Sequence, residues 1–341
     1  MANPPTEPSR ILVVLCAGLG DLLIAVPALK ALRRTFSRAK ITLAVSPKAF
    51  DYARRCPFVD EVVVLDISFS WKEPKIISLL RRQRFDLAFN LYEISSVLGM
   101  LKMAALFTAL RAGVSAGRDT DGRGFFYSIK SPDSPADGLD HGEHYARLLT
   151  LLGCEVNPED KSALWISAPA EDTAEDFLKS NALAGSGAFF GIHPGSARIS
   201  RLWVPERFAQ VADALALRYG SRAVITGGPG EEPLARQVAS LMRSNPVVAA
   251  GRLDFEASLS LVRRMRFLLT THSSLMHAAN AFEVPFVALC GISDMRRDGP
   301  YKPAAGRWAV VKALQPDMRL ITAEAVFSAA EILFDSIYGK N

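Results

Sequence analysis

Four short runs in this chain put glycine, hydroxyl or charged residues where a strand would hand over to a helix. The first is Gly18-Leu19-Gly20-Asp21, directly after an apolar stretch. The glycines allow a tight turn, and Asp21 falls at the helix start, where three readings stay open. It can cap the helix. It can belong to a dinucleotide fingerprint, although Leu23 stands where the third glycine would be. It can also act as a general base kept ionised by the helix dipole. The second run is His193-Pro194-Gly195-Ser196, followed by Arg201-Leu202-Trp203. A glycine turn with a hydroxyl and then a cation suits a phosphate cradle, and equally a solvent loop with Trp203 packed beneath a helix.

The third run, Thr226-Gly227-Gly228-Pro229-Gly230-Glu231-Glu232, sets acids just past a strand end. A carboxylate there can accept from ribose hydroxyls, or it can simply open a helix. The fourth is Thr271-His272-Ser273-Ser274-Leu275-Met276-His277-Ala278-Ala279. Small hydroxyl residues opening a helix leave several backbone N–H groups aimed outward, ready for an anion. His272 and His277 flank that start but lack i, i+4 spacing and a Cys or Glu partner, so they do not read as metal ligands. His141 and His144 share one helical face and read as surface residues. No serine sits in a G-x-S-x-G elbow, which argues against a Ser-His-Asp hydrolase.

The elements that would carry these runs alternate. Apolar stretches at 11–17, 41–46, 61–66 and 85–91 read as strands, and 21–36 as a helix. The polar, glycine-rich stretch 118–139 reads as a surface loop. A helix is expected at 144–152 and a linker helix at 171–180. The pattern then restarts, with strands at 189–193, 223–226, 267–271 and 286–290. Helices follow at 205–219, 232–243 and 275–282, and a last amphipathic helix at 323–338. Strands alternating with helices predict an α/β fold of parallel sheets covered on both faces. Two such doubly wound halves imply a cleft facing the carboxyl ends of the strands.

Composition agrees with that architecture and narrows the function. The 341 residues exceed a single-domain length, and 49% hydrophobic against 22% charged residues is globular. The net charge of +5 comes from scattered Lys and Arg, so no nucleic-acid partner is expected. The four cysteines, Cys16, Cys56, Cys154 and Cys290, lie far apart without metal-ligand spacing, and a reducing compartment fits. The polar N-terminal stretch does not read as a signal peptide or anchor, and no apolar run reaches the roughly 18 residues of a membrane span. A cytoplasmic protein is expected, with room for peripheral docking on the inner membrane.

In order and spacing, these runs resemble glycosyltransferase family 9, the lipopolysaccharide heptosyltransferases. The residues that carry the resemblance are GLGD with Pro27-Ala28-Leu29, HPGS with Arg201-x-Trp203, TGGPGEE, and the Ser-Ser-x-Met-His-Ala-Ala run before Val284-Pro285. The resemblance implies a GT-B architecture of two Rossmann-like domains with an interdomain cleft. Residues 1–170 would bind the acceptor and 171–322 the nucleotide-sugar, while 323–341 would cross back to the first domain. It also implies an inverting, metal-independent transfer without a cofactor, from an ADP-sugar to a lipopolysaccharide or other glycan acceptor.

By position, Asp21 becomes the base, with Gly18 and Gly20 in the acceptor-side loop. Arg201 replaces the family's usual lysine against the diphosphate, which keeps charge but alters geometry. Ser196 would contact phosphate and Glu231 the ribose, while Ser273, Ser274 and His277 would hold the diphosphate at the helix start. One departure matters: His272 stands where the family usually has an Asp that grips the sugar's hydroxyls, and Ser274 replaces the family glycine. That substitution motivates a second reading, a catalytically silent nucleotide-sugar binder, against which Asp21 argues. A nicotinamide oxidoreductase is a more distant alternative, given Leu23.

Overall fold

A computed structural model describes residues 3–66, 74–157, 160–183, 189–291 and 293–339. The chain divides into two compact units, 1–163 and 164–341. In the first, β1 (Arg10–Leu15), α1 (Leu19–Thr35), β2 (Lys40–Val45), α2 (Pro47–Ala53) and β3 (Glu61–Val64) are followed by α3 (Pro74–Arg82). Then come β4 (Leu87–Asn90), α4 (Val97–Leu110), β5 (Val114–Thr120), β6 (Ile129–Asp133) and α5 (His141–Leu151). The second unit opens with α6 (Ala168–Ser180), β7 (Phe189–His193), α7 (Pro205–Tyr219), β8 (Arg222–Ile225) and α8 (Glu232–Leu241). It continues through β9 (Val247–Val248), α9 (Phe255–Arg263), β10 (Leu268–Thr271), α10 (Ser274–Ala281), β11 (Phe286–Cys290), β12 (Trp308–Lys312) and α11 (Ala323–Tyr338).

Every strand pairing is parallel, in the orders β3-β2-β1-β4-β5-β6 and β12-β11-β10-β7-β8-β9. Each is the doubly wound Rossmann order, with its reversal between β1 and β4 in one sheet and between β7 and β10 in the other. Ligands of such sheets gather past the carboxyl ends of the strands at that reversal. The strands read as apolar runs because both faces are covered. Residues 11–14 of β1 and 286–289 of β11 are all under 2% exposed.

The unit 1 core gathers Leu12, Val14, Phe85, Met103, Phe107 and Tyr127 between sheet and helices. In unit 2, Phe190, Ile192, Trp203, Phe208, Phe267 and Leu289 pack together with Val326 and Phe334 of α11. Trp203 is core: 2% exposed, edge-on to Phe208 at 4.9 Å, its indole N–H donating to the Ile321 carbonyl at 2.9 Å. Within the second unit, α11 packs against α7, β11 and β12, and Phe334 stacks on Tyr219 at 3.8 Å.

The stretch read from sequence as a surface loop, 118–139, contains the end of β5 and all of β6. Some of its polar residues are buried because they satisfy one another. Arg118, fully buried, donates from Nε to Asp133 Oδ2 at 3.0 Å, and Thr120 donates to the same oxygen. His144 is also fully buried and His141 is 8% exposed, so neither is the surface residue its sequence suggests. All four cysteines are buried and free; burial pushes the Cys16 thiol up to about 12. Among the described residues, no helix is long and apolar enough to cross a membrane.

Candidate active site

In unit 2, the seven candidate residues Ser196, Arg201, Glu231, His272, Ser273, Ser274 and His277 follow the carboxyl ends of β7, β8 and β10. The loop after β7 is held from two sides. Thr271 Oγ1, at the end of β10, donates to the Gly195 carbonyl. From β8, the Glu231 carboxylate lies so close to Gly195 that a Cβ there would fall 2.1 Å from its Oε1. A side chain at 195 would push the Glu231 carboxylate aside, a physical reason for glycine as the third residue of the His-Pro-Gly-Ser run. Glu231 is itself oriented by accepting the Gly228 N–H at 2.8 Å, and Ser196 Oγ accepts the Arg198 N–H at 3.4 Å.

His193 closes β7 and is buried, with Nδ1 3.2 Å from Thr226 Oγ1. Burial depresses its proton affinity, and the nearby negative charge of Glu231 works against that depression. At the end of β10, Ser273 is the N-cap of α10 but makes no side-chain cap. Its hydroxyl lies 2.9 Å from Thr270 Oγ1 instead. The first amides of α10, with Ser273 and Ser274 half-buried beside them, therefore face outward at the sheet reversal. His277 lies one turn further in, 7% exposed, with its ring 6.2 Å from that of His272.

His272 is spent inside the protein. Its Nε2 lies 2.9 Å from the backbone carbonyl of Asp298, and Nδ1 lies 2.9 Å from Ser293 Oγ. A carbonyl only accepts, so Nε2 carries the proton and Nδ1 accepts from the serine hydroxyl. Burial first, and then the positive charge of Arg201, lower the ring to about 4, so it is neutral. The Arg201 guanidinium in turn reaches the Asp298 carboxylate at 3.9 Å. Ser293 and Asp298 went unnoticed in the sequence. The available signal was their place just past β11, a strand end beside the reversal.

Asp21, Gly18 and Gly20 belong to unit 1, past the carboxyl end of β1. Gly18, not Asp21, occupies the N-cap of α1; Asp21 stands at the third helical position and accepts the Gly18 N–H at 3.1 Å. Asp21 is half-buried there, at the positive end of the α1 dipole. Tyr145 of α5 feels its charge: burial, and then Asp21, push that phenol up, so it stays protonated.

Beneath Tyr145 runs a buried polar network that the sequence did not reveal. The Arg118 guanidinium lies 5.7 Å from the Tyr145 ring centre, and its NH1 is 3.0 Å from His141 Nδ1. His141 Nε2 faces Glu93 at 3.8 Å. His144 Nε2 sits 3.2 Å from Asp133 and 3.4 Å from Asp137. Among the described residues, Asp133, Asp137 and His144 are the group whose spacing suits a metal ion. Arg118 and Thr120 already take one oxygen of Asp133, so the trio also stands as part of an ion-pair network.

Two parallel sheets, each wound in the Rossmann order, with candidate residues past their carboxyl ends, define a GT-B fold of the glycosyltransferase type. The model of Glycosyltransferase family 9 (heptosyltransferase) matches residues 74–321. The chain belongs to that family and is a glycosyltransferase. Lipopolysaccharide heptosyltransferase 3 of Escherichia coli is 25% identical over 293 residues, 81% of each chain. The crystal structure of a family 9 glycosyl transferase from Veillonella parvula superimposes with a TM-score of 0.83 at 23% identity, covering 98% of this chain and 100% of that one. The E. coli heptosyltransferase WaaC with ADP gives 0.71 at 21% identity, covering 95% and 99%.

Proposed function

We propose that the chain transfers a heptose or related sugar from an ADP-linked donor to a hydroxyl of a lipopolysaccharide-type acceptor, with inversion and without a metal. The observation that carries this reading is the convergence of Arg201, Glu231 and the start of α10 at one sheet reversal. The cation and the outward amides suit a diphosphate, and the carboxylate suits ribose hydroxyls. Two relatives supply the nucleotide: one solved structure holds ADP, and another is named an ADP-heptose lps heptosyltransferase.

Asp21 serves as the base. It takes the proton of the acceptor hydroxyl, whose oxygen attacks the anomeric carbon as the bond to the diphosphate breaks. The electron pair leaves on the diphosphate oxygen, where Arg201 and the α10 amides stabilise the growing charge, the part a metal plays elsewhere. The lipopolysaccharide names of relatives support a glycolipid acceptor, and such an acceptor would suit peripheral work at the cytoplasmic face of the inner membrane.

Thermal-shift screening against ADP-, GDP-, UDP- and dTDP-sugars tests the donor. At about a hundred times its dissociation constant, the right donor should add about 2.7 kcal/mol. Stabilisation by the ADP-sugars above the others is expected. No stabilisation by any of them would contradict the reading.

A further inference from the structure

We propose that the outer face of α3 and α4 is a docking surface for an anionic lipid bilayer. The proposal rests, for its purpose, on the glycolipid-acceptor reading above, and it names the part of the chain that meets the lipid. Two observations carry it, one apolar and one electrostatic.

The 14 residues of α4 hold one cation, Lys102, and no acid. Met103, Leu106, Phe107 and Leu110 face the core, as the inner stripe of a covering helix should. The outer stripe is apolar as well. Val97, Leu98 and Leu101 of α4, Leu79 of the neighbouring α3 and Phe125 of the loop 121–128 are 48–64% exposed. Phe125 is tied to this face: it stands edge-on to Phe126 at 5.6 Å, and Phe126 leans on Phe107 of α4 at 6.4 Å. A helix apolar on both sides has one face left to bury. At about 21 Å, α4 is too short to span a bilayer and long enough to lie along one.

Charge says what covers that face. Residues 74–85 and 97–112 contain Lys75, Arg81, Arg82, Arg84, Lys102 and Arg111, and no Asp or Glu. Where the two helices end, a cleft of about 660 Å³ is lined by Arg81, Arg82, Arg84 and Arg111, with Leu110 at its side. No ion pair among the described residues takes any of these four guanidinium groups. The nearest acid in sequence, Asp86, turns its Oδ2 to the amides of Ser9 and Arg10, at 2.7 and 2.9 Å. The turns that end α3 and α4 also place Arg84 and Arg111 in the left-handed region, at φ 53° and 52°, where glycine is the easier residue. Cations at helix ends suit the dipole, but two helix ends do not call for four arginines around one cleft. Guanidinium groups grip phosphates, and an apolar stripe beside them enters the acyl boundary. A nucleic acid would use the arginines without the leucines, and an apolar protein partner the leucines without the arginines. The helix α4 opens past the carboxyl end of β4, which pairs in parallel with β1, so a bilayer lying along α4 borders the sheet end that carries Asp21.

The test is co-sedimentation of the full chain with phosphatidylcholine vesicles, with and without phosphatidylglycerol. Wild type should bind the mixed vesicles far better than the neutral ones and release them as salt is raised. Arg81→Gln with Arg82→Gln should weaken binding about 10- to 30-fold, roughly fivefold for each basic residue at the surface. Leu98→Gln with Leu101→Gln should weaken it about tenfold. These side chains are exposed, so melting temperature should stay near wild type in both variants. No binding to the mixed vesicles would overturn the proposal, as would equal binding to the two vesicle types. Binding lost with the arginines and kept without the leucines would also overturn it, leaving an anion site and no bilayer contact. Donor stabilisation is measured without lipid, so failure on vesicles leaves the transfer reading standing.

Discussion

Mild acid should loosen the second unit through one histidine. His272 is held neutral in the native protein, its proton affinity lowered from an ordinary value near 6.5 to about 4 by burial and by Arg201. An unfolded chain protonates the same ring near pH 6.5. Between those values the unfolded state binds more protons, so stability is complete above about pH 6.5 and is lost as pH falls towards 4. Over the whole window the loss is about 3 kcal/mol, and about 2 kcal/mol of it falls between roughly pH 7.5 and pH 5. His272→Gln isolates the effect, because the amide can still donate to the Asp298 carbonyl and accept from Ser293 but does not titrate. The assay is urea unfolding followed by tryptophan fluorescence, since Trp165, Trp203 and Trp308 all lie in that unit. Wild type should lose about 2 kcal/mol more than the variant over the same pH interval. His193 is buried and lowered as well, but it is present in both proteins and cancels. An equal loss in both would refute the assignment of His272 as a buried neutral strut.

Three further outcomes are expected. Gly195→Ala puts a Cβ 2.1 Å from Glu231 Oε1, so the carboxylate must swing away; nucleotide affinity by calorimetry should drop about tenfold, the value of one lost hydrogen bond to a charged group. Asp133→Ala strands the buried Arg118 guanidinium and should cost about 3–5 kcal/mol in urea unfolding, with the paired replacement Arg118→Met recovering much of it. Arg201→Ala should weaken donor use about 10- to 100-fold and Arg201→Lys much less, read as donor KM; equal values for the two variants would take Arg201 out of the site.

The parts of the fold legible in the sequence were those where pattern and burial agree. Strand 189–193, helix 205–219, strand 286–290 and helix 323–338 match β7, α7, β11 and α11 to the residue. Each carries an apolar run or face with plain stop signals. The pair β5 and β6 was hidden for two physical reasons. Arg118, Thr120 and Asp133 are polar yet buried, since their partners are one another, so composition suggests a surface. Only residues 121–128 separate these parallel neighbours, shorter than the crossover such strands usually require.

At the candidate site, the glycine-turn runs were legible because Gly195 and the opening of α10 have sequence signatures tied to backbone geometry. The partners of His272 were not, because a hydrogen bond from position 272 to 293 and 298 depends on tertiary placement. The N-cap of α1 was off by three residues: Gly18 takes that place, and Asp21 reaches back to it. A carboxylate at the N-cap accepts amides ahead of it and one at the third helical position accepts the amide behind it, and the residue types alone leave the two open.

The central claim is that this family 9 member transfers a sugar with Asp21 as its base. The direct measurement is the rate of nucleoside diphosphate release from ADP-heptose with a lipopolysaccharide-core acceptor, for wild type and Asp21→Asn. The variant keeps an acceptor oxygen for the Gly18 amide but cannot take up the acceptor's proton. Turnover should fall about 10²- to 10⁴-fold, while donor affinity and melting temperature stay near wild type. Transfer that continues at the wild-type rate would contradict the account and leave Asp21 as the cap of α1.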